Sequence, residues 1–449
     1  MTMCSRTVRR MAAIACVGMA IGATALADDL RVPAEFTTIQ SAIDAAKAGD
    51  RVLVADGVYM GVGNTDITFR GKAITVQSEN GAASCIIDCD ATPTDPRRGF
   101  VFSSGEGLDS VLDGFTITNG ATLPGAIADT FNGAAILCNN GSSPTIRNCV
   151  LSNNRAGCWG GAFCCSNASP VIENCVFVNN HTDDDGGGLF IWLESYPVVI
   201  NSVFAGNTAP GSGGGLTNFG GGITLINCTL VDNSAGWGSA GYLWNSELHN
   251  SIVWDHPGGH GLEGAPVVTY SNVEGGYTGV GNMNLDPRFV KPEANDYRLA
   301  KGSPSIDAGD NVRVPAAVVL DANGEARFTG AFVDQGAFEN PTQPRRLTLR
   351  TPIPGHAGEM NSMDLGGAVS GSEVFFVYGF RAGATEVPGC PGLVVDLARP
   401  TLLGREVADG HGFVRMKAFV PATAQGRQIL LQAVTPTACE VSDRVTHTF

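Results

Sequence analysis

An asparagine recurs along the middle of this chain at nearly constant spacing. Asn148, Asn174, Asn201, Asn227 and Asn250 follow one another at intervals of 26, 27, 26 and 23 residues. Each begins a short segment in which side chains alternate, such as the N-C-V-F segment at Asn174. Alternation with a period of two predicts a β-strand, and a repeat of this length is typical of a solenoid.

Each unit carries two further markers. Glycine pairs at 160–161, 187–188 and 214–215 precede a second apolar segment, and Pro144, Pro170 and Pro197 follow such segments. A unit of three short strands cannot bury its own apolar face, so units must stack, with equivalent strands about 4.8 Å apart. The sequence therefore predicts an all-β fold, a right-handed parallel β-helix with three short strands per coil. Leucine-rich and helical solenoids are excluded because segments of helical period are missing.

Stacking predicts ladders of equivalent residues. The Asn series is expected at a turn, where side-chain amides can hydrogen-bond along the axis. We expect free thiols rather than a disulfide between Cys149 and Cys175, because in-register strands seldom supply the required dihedral angle. The inward ladder that contains both comprises Cys149, Cys175, Ser202, Cys228 and Ser251. A second predicted ladder comprises Cys138, Cys164, Ile191 and Asn218.

An amphipathic helix is predicted near the start of the chain. Ile39, Ala42, Ile43 and Ala46 share one helical face, with Thr38 as N-cap. Gly49 would end the helix. We expect this helix to cover the open apolar end of the solenoid, with early strands at 51–55, 73–77 and 111–118.

The first 27 residues have the order of an export signal. Arg6, Arg9 and Arg10 precede an apolar run that ends in Ala25-Leu26-Ala27, so a secreted or cell-surface protein with cleavage after Ala27 is expected. A lipoprotein is disfavoured because Ala13 stands where a Leu usually precedes the lipidated cysteine. No later run is apolar and long enough for a transmembrane segment. Without residues 1–27, 25 basic and 43 acidic side chains remain, a net charge of −18, which argues against nucleic acid as a partner.

Several motifs resemble those of a known family. The I-Q-S-A-I segment at 39–43, A-G-D-R-V-L-V at 48–54, G-V-Y at 57–59 and the N-C-x-F coils resemble bacterial β-helix repeat proteins of the pectin-lyase-like superfamily. The segments L-D-P-R-F at 285–289, D-Y-R-L at 296–299, G-S-P-S-I-D-A-G-D at 302–310 and V-D-Q-G-A-F-E at 333–339 are similar to a choice-of-anchor Q-type end module. The resemblance covers residues 35–340 and implies the fold, not a particular catalytic activity.

The predicted domains follow from these boundaries. The β-helix is expected at 28–283 and the end module at 284–340. Prolines at 341, 344, 352 and 354 mark a linker, after which strands at 374–380, 393–397, 413–420 and 429–434 predict a small β-sandwich over 341–449. Cys390 and Cys439 are its two cysteines and the predicted disulfide.

The superfamily includes polysaccharide-cleaving enzymes, and each class of enzyme requires particular residues. A lyase needs a basic residue, but Arg147 and Arg155 are the only Arg or Lys between residues 100 and 281. The esterase-like segment at 57–61 ends in Gly and lacks the paired-carboxylate motifs. Fragments similar to polygalacturonase motifs occur at Asn64, at Asp185 and at His260, but coil counting separates the last two by about 14 Å.

An acidic turn remains of interest. Asp183, Asp184 and Asp185 follow His181 and precede three glycines. Adjacent carboxylates repel one another unless they are solvated or bridged by a cation. A solvated turn, a Ca²⁺ site and a set of catalytic carboxylates are therefore the alternatives, and no other cofactor is expected.

Aromatic residues provide the second candidate site. Alignment of the coils on Gly161, Gly188 and Gly215 predicts outward-facing rings suited to stacking against sugars. The predicted substrate-binding residues are Trp159, Phe163, Phe190, Trp192 and Phe219. The leading hypothesis is a β-helix protein that binds extracellular polysaccharide or a cell surface; the alternatives are a polysaccharide lyase or glycoside hydrolase, and a structural or adhesive surface protein.

Overall fold

The computed structural model describes residues 27–125, 132–258, 261–342 and 344–449. The predicted export segment and His260 therefore lie outside the described residues, apart from Ala27. The rest of the repeat region forms the predicted parallel solenoid, in which each strand pairs with its equivalent in the next coil. The helix, the solenoid and the antiparallel C-terminal sheets confirm the predicted fold class.

Four parallel sheets run along the solenoid. Sheet 1 contains Asp29–Val32, Arg51–Val54, Thr75–Ser78, Val111–Asp113, Thr145–Arg147, Val171–Glu173, Val198–Ile200, Thr224–Ile226, Glu247–His249 and Val267–Thr269. Sheet 2 contains Gly57–Tyr59, Cys85–Asp88, Thr116–Thr118, Val150–Ser152, Val176–Val178, Val203–Ala205, Thr229–Val231, Ile252–Trp254 and Asn272–Val273. Sheet 3 is shorter, with Arg155–Ala156, His181–Thr182, Thr208–Ser212 and Ser234–Trp237. Sheet 4 contains Ile67–Thr68, Phe100–Phe102, Ile136–Asn139, Phe163–Ser166, Leu189–Trp192, Leu216–Asn218, Gly241–Leu243 and Leu262–Glu263.

The helix spans Ile39–Ala45 and is held at its start by a capping box between Thr38 and Ser41. Ile39, Ala42 and Ile43 are buried in the same apolar core as the first strands, as predicted. The helix therefore closes the N-terminal end of the solenoid.

The first predicted inward ladder is confirmed, and the second is wrong at one position. Cys149, Cys175, Ser202, Cys228 and Ser251 are all fully buried. Strand pairing places Cys138 beside Cys165, which in turn pairs with Ile191. Cys164 pairs with Leu137 and belongs to the neighbouring ladder, whose side chains lie on the outer face of sheet 4.

A second asparagine ladder, which was not predicted, stabilises the turn between sheets 2 and 3. Asn154, Asn180, Asn207 and Asn233 are at most 1% exposed. Asn180 donates from its backbone N and from Nδ2 to Asn207 Oδ1, over 3.0 and 2.9 Å. Its Nδ2 also donates to Leu151 O over 2.8 Å. The same bonds recur between Asn154 and Asn180 and between Asn207 and Asn233, so each side chain binds its own coil to the next.

Residues 284–340 lie along the side of the later coils. They contain the strands Phe289–Lys291 and Asp296–Leu299 and the 3-10 helices Pro292–Ala294 and Asn311–Arg313. Asn201 Nδ2 donates to Leu320 O, Asn227 Nδ2 to Asp334 O and Asn250 Nδ2 to Asp310 O, over 2.8 to 3.0 Å. The predicted axial bonds of the first Asn series therefore occur only in part, between Asn148 and Asn174 and between Asn227 and Asn250.

A buried charge cluster joins two of the motifs within this segment. Arg327 is fully buried, lies 3.4 Å from Glu339 between Nε and Oε2, and donates to Asp334 O over 2.7 Å. The Asp334 carboxylate accepts the backbone N–H groups of Asp307 and Asn340, both over 2.7 Å. Burial raises the pKa of Asp334 to about 7 and raises the pKa of Glu339 well above its usual value, although the Arg327 guanidinium lowers the pKa of both carboxyl groups.

The C-terminal residues form the predicted antiparallel sandwich. Sheet 5 contains Thr348–Leu349, Met360–Gly366 and Val414–Phe419. Sheet 6 contains Thr401–Val407, Glu373–Gly379, Gln428–Thr435, Glu440–Val441 and Val445–Thr448, and a hairpin pairs Ala382–Glu386 with Val394–Leu397. A further 3-10 helix spans Ala422–Ala424. Arg415 connects the sandwich to residues 284–340, since its Nη2 lies 2.6 Å from Asp364 Oδ2 and 3.0 Å from Asp310 Oδ1.

The buried asparagine ladder ends on a histidine, which predicts a pH effect. His256 Nδ1 lies 3.2 Å from the backbone N of Asn233 and 3.3 Å from its backbone O, and the ring is buried. Burial lowers the pKa of His256 to about 4. A histidine whose pKa is lowered by folding contributes stability that is lost as pH falls from about 6.5 to about 4.

We predict that His256→Asn, which extends the ladder with its own residue type, removes this loss. Relative to the variant, the wild-type protein should lose up to about 3 kcal/mol of unfolding free energy between pH 7 and pH 4. Urea unfolding of both proteins at the two pH values measures this difference. The comparison cancels the opposite trend that the raised pKa of Asp334 produces. An equal pH dependence in the two proteins would contradict the assignment.

Candidate functional site: an aromatic strip beside an acidic turn

Glycines with left-handed backbone set the turn from sheet 3 to sheet 4. Gly160, Gly186 and Gly213 have φ of 67°, 73° and 61°. A Cβ on Gly160 would lie 2.3 Å from Phe163 O, so no other residue fits there without a shift. Gly160 is thus equivalent to Gly186, the first of three consecutive glycines in the next coil. The predicted alignment of Gly161 with Gly188 is therefore wrong by one residue, because Gly161 is equivalent to Gly187.

This register corrects the prediction for Phe163. Phe163 pairs with Leu189 rather than with Phe190, and it is fully buried in the interior core. Its ring fills the solenoid and is not part of an outer binding surface. Cys164, the next residue, takes the outward position beside Phe190.

Trp159 folds over the outer face of sheet 4. Its ring stacks on Phe190 with centroids 4.7 Å apart and planes 13° apart, and its centroid lies 5.4 Å from that of Trp192. The indole is 8% exposed and covers Phe190, which is fully buried. The prediction that Trp159 and Phe190 form an exposed platform is therefore wrong: they form its packed base.

From this base a line of rings continues along the axis over the next coils. Phe190 contacts Phe219 at 5.8 Å, Phe219 contacts Tyr242 at 5.3 Å, and Tyr242 contacts Trp244 at 6.4 Å between centroids. Trp192 is half-buried, while Phe219 is 37% and Trp244 56% exposed. We call this set the aromatic strip: Trp159, Phe190, Trp192, Phe219, Tyr242 and Trp244.

The three carboxylates of the acidic turn have separate partners. Asp183 forms an ion pair with Arg155 and lies 3.3 Å from His181 Nε2. Asp184 Oδ2 accepts the Trp159 indole N–H over 3.1 Å, and Asp185 Oδ1 accepts the Ser212 backbone N–H over 2.6 Å. These contacts reduce the repulsion among the three carboxylates. Among the described residues, no group of three or more His, Cys, Asp or Glu side chains that could hold a metal ion is found.

Burial and neighbouring charges alter the titration of this turn. Burial raises the pKa of Asp185 despite its bond to Ser212, and the adjacent Asp184 contributes. Burial and the nearby Arg155 lower the pKa of His181. Burial also raises the pKa of Cys158 to about 11, which leaves a thiol of low reactivity beside Asp184. Asp184 is exposed and lies at the end of the aromatic strip, so it is the carboxylate best placed to contact a ligand.

Asn64, which belongs to another of the three fragments similar to polygalacturonase motifs, lies far from this turn. Asn64 Oδ1 accepts the backbone N–H of Ile39, at the start of the capping helix. Four steps along sheet 4 separate the strand after Asn64 from the strand after Asp185. This confirms that Asn64 and Asp185 cannot flank one glycosidic bond.

Sequence reasoning missed Tyr242 and Trp244. Strand pairing aligns Phe190 with Thr217 and Thr217 with Tyr242, so these three residues occupy equivalent outward positions on successive strands of sheet 4. The signal was present, since Tyr242 and Trp244 alternate around Leu243 as Phe190 and Trp192 alternate around Ile191. A shorter coil, 25 residues from Thr217 to Tyr242, obscured it.

The cysteine predictions are confirmed. Cys390 and Cys439 form a disulfide in the C-terminal domain. Cys149 and Cys175 are free and buried.

Comparison with known proteins agrees with the fold. Residues 49–253 match a family model described as a right handed beta helix region. The chain therefore contains a right-handed β-helix repeat region, as its sequence predicted. No curated protein matches the chain. Within the part of the chain that the structure describes, no helix has both the length and the apolar character needed to cross a membrane.

Proposed function

We propose that this protein is exported and binds polysaccharide along the aromatic strip. The observation that carries the proposal is the line of ring contacts over successive coils, in which Phe219 and Trp244 are exposed. Coils repeat every 4.8 Å or so, so the strip from Trp159 to Trp244 extends about 14 Å. A repeating row of flat rings suits a polymer of rings, because the C–H faces of sugars stack on aromatic faces while the hydroxyl groups stay hydrated.

Polar groups beside the strip supply the second element of a glycan site. Asp184 is fixed by the Trp159 indole and remains exposed. A carboxylate next to stacked rings can accept hydrogen bonds from sugar hydroxyl groups. Binding sites commonly combine a largely apolar surface with a few oriented polar groups.

Packing of the base favours a fixed surface over a mobile one. Trp159 is held between Phe190, Trp192 and the Asp184 carboxylate, which leaves its ring little freedom. A surface that is already ordered loses less conformational entropy on binding. The disulfide between Cys390 and Cys439 supports export, since such bonds persist in oxidising compartments.

The strip predicts which tryptophan matters for binding. Trp244→Ala removes an exposed ring from the strip and should weaken binding to a recognised polysaccharide at least about 10-fold. Affinity electrophoresis in gels that contain individual plant, algal or bacterial polysaccharides measures this change. Trp237→Ala is the matched control, because Trp237 is 62% exposed but lies on sheet 3, outside the strip.

Two results would contradict the proposal. Equal losses for the Trp244 and Trp237 variants would show that binding does not use the strip. Retardation by none of a broad panel, with the protein folded, would favour the structural or adhesive alternative.

The competing function is cleavage of a polysaccharide at the acidic turn. Asp184 would be its reactive carboxylate, since Asp183 and Asp185 are engaged by Arg155 and Ser212. We predict that the purified protein releases neither reducing ends nor unsaturated products from the polysaccharides it binds, with or without added Ca²⁺. A product that is lost in Asp184→Asn but retained in Asp183→Asn would establish the enzyme instead.

A further inference from the structure

The C-terminal sandwich contains an open apolar cavity of about 310 Å³. It lies between sheets 5 and 6, because Met363 of one sheet and Leu431 of the other both line it. These two side chains are 3% and 1% exposed and belong to the core of the sandwich. The cavity therefore reaches from the surface to the core, and its volume lies at the lower end of the range for small-molecule sites.

Large aromatic side chains stand exposed at the mouth of this cavity. Phe380 is 64% and Phe419 is 60% exposed, and both line the opening. The Phe380 ring contacts that of Tyr378, which is half-buried deeper in the wall, with centroids 5.8 Å apart. Exposed apolar side chains grouped around a cavity are typical of a site for an apolar ligand.

One cationic side chain lines the cavity. Arg427 is exposed and, among the described residues, forms no ion pair. Several arginines of the same domain are paired, Arg345 with Glu440, Arg346 with Asp443 and Arg415 with Asp364, whereas the exposed Arg444 is, like Arg427, in no ion pair with a described residue and does not line the cavity. An arginine without an acidic partner at the mouth of an apolar cavity favours a ligand with an anionic head, and a planar carboxylate matches the guanidinium fork.

We propose that this cavity binds a medium-length aliphatic chain that ends in a carboxylate, a ligand of the fatty-acid class. The chain lies between the two sheets with its end towards Met363 and Leu431, and the carboxylate pairs with Arg427 at the mouth. The site is separate from the aromatic strip, since all its lining residues lie between Pro352 and Phe449. The proposal is therefore independent of polysaccharide binding.

Chain length gives the first test. Calorimetric titration of the purified protein with hexanoate, octanoate, decanoate and dodecanoate, each below its micellar concentration, should show one site per chain. Affinity should rise roughly four-fold per added methylene while the cavity fills, and then level off. Absence of saturable binding across the series would overturn the proposal, as would affinity that rises without limit, which indicates adsorption to exposed rings.

Charge gives the second test. Arg427→Glu should weaken dodecanoate binding about 10-fold or more and should strengthen binding of dodecyltrimethylammonium. Arg444→Glu makes the same charge change on an exposed arginine that does not line the cavity, and it should alter neither affinity more than two-fold. Unchanged dodecanoate affinity in Arg427→Glu would overturn the proposed polarity of the site.

Occlusion gives the third test. Ala424 lines the mouth, is only half-buried and lies in the 3-10 helix Ala422–Ala424, so Ala424→Trp can fill the opening without changing the core. This variant should lose binding of both amphiphiles while it keeps the circular dichroism spectrum of the wild-type protein. Wild-type affinity in the occluded, folded variant would place the ligand elsewhere and overturn the proposal.

Discussion

The buried asparagine ladder is the contact on which the register of the solenoid depends. Over four successive coils the chain turns from sheet 2 to sheet 3, and the asparagine at each of these turns is buried. The Asn180 side chain accepts a hydrogen bond from the backbone N–H of Asn154 and donates to Asn207 Oδ1 and to Leu151 O, so it links three successive coils. A buried polar group left without a partner costs about 1 to 3 kcal/mol, so a coil shifted by one residue would be strongly disfavoured. This register also brings Trp159 over Phe190 and Asp184, which lie in the next coil.

Residues 284–340 explain why the later coils differ from the earlier ones. Their apolar side chains pack outside sheets 1 and 2, with Val333 near Ile200 and Ala337 near Val203. On sheet 2, burial alternates along earlier strands such as Val150–Ser152, whereas every residue of the later strand Val203–Ala205 is buried. The outer face of sheet 4 instead carries the aromatic strip. The exposed rings are therefore found on a face that this segment leaves to solvent.

Much of the fold could be predicted because repetition encodes it directly. The spacing of the Asn series and the alternation of the segments after it specify stacked strands, and the apolar face of residues 39–46 specifies the helix. The buried ladder was missed although Asn154, Asn180, Asn207 and Asn233 have the same spacing, since nothing in the sequence shows which asparagines face inward. The position of residues 284–340 could not be predicted because the bonds from Asn201 and Asn250 to this segment join positions far apart in sequence.

The candidate site was predicted less well, for a specific physical reason. Three consecutive glycines at 186–188 leave the turn register ambiguous, and a shift of one residue exchanges the inner and outer faces of a strand. This error moved Phe163 from the core to the surface. The burial of Trp159 and Phe190 could not be predicted either, because their rings stack only once the chain has folded.

The most direct test of this account is the unfolding free energy of Asn180→Ala compared with that of Asn179→Gly. Asn180 is fully buried in the ladder, whereas Asn179 is exposed with φ of 56°, a conformation that glycine adopts readily. We expect Asn180→Ala to lose roughly 3 kcal/mol or more of unfolding free energy, because several buried partners lose their hydrogen bonds, and Asn179→Gly to change it by at most about 0.5 kcal/mol. Similar small changes in both variants would contradict the claim that the ladder holds the coils in register.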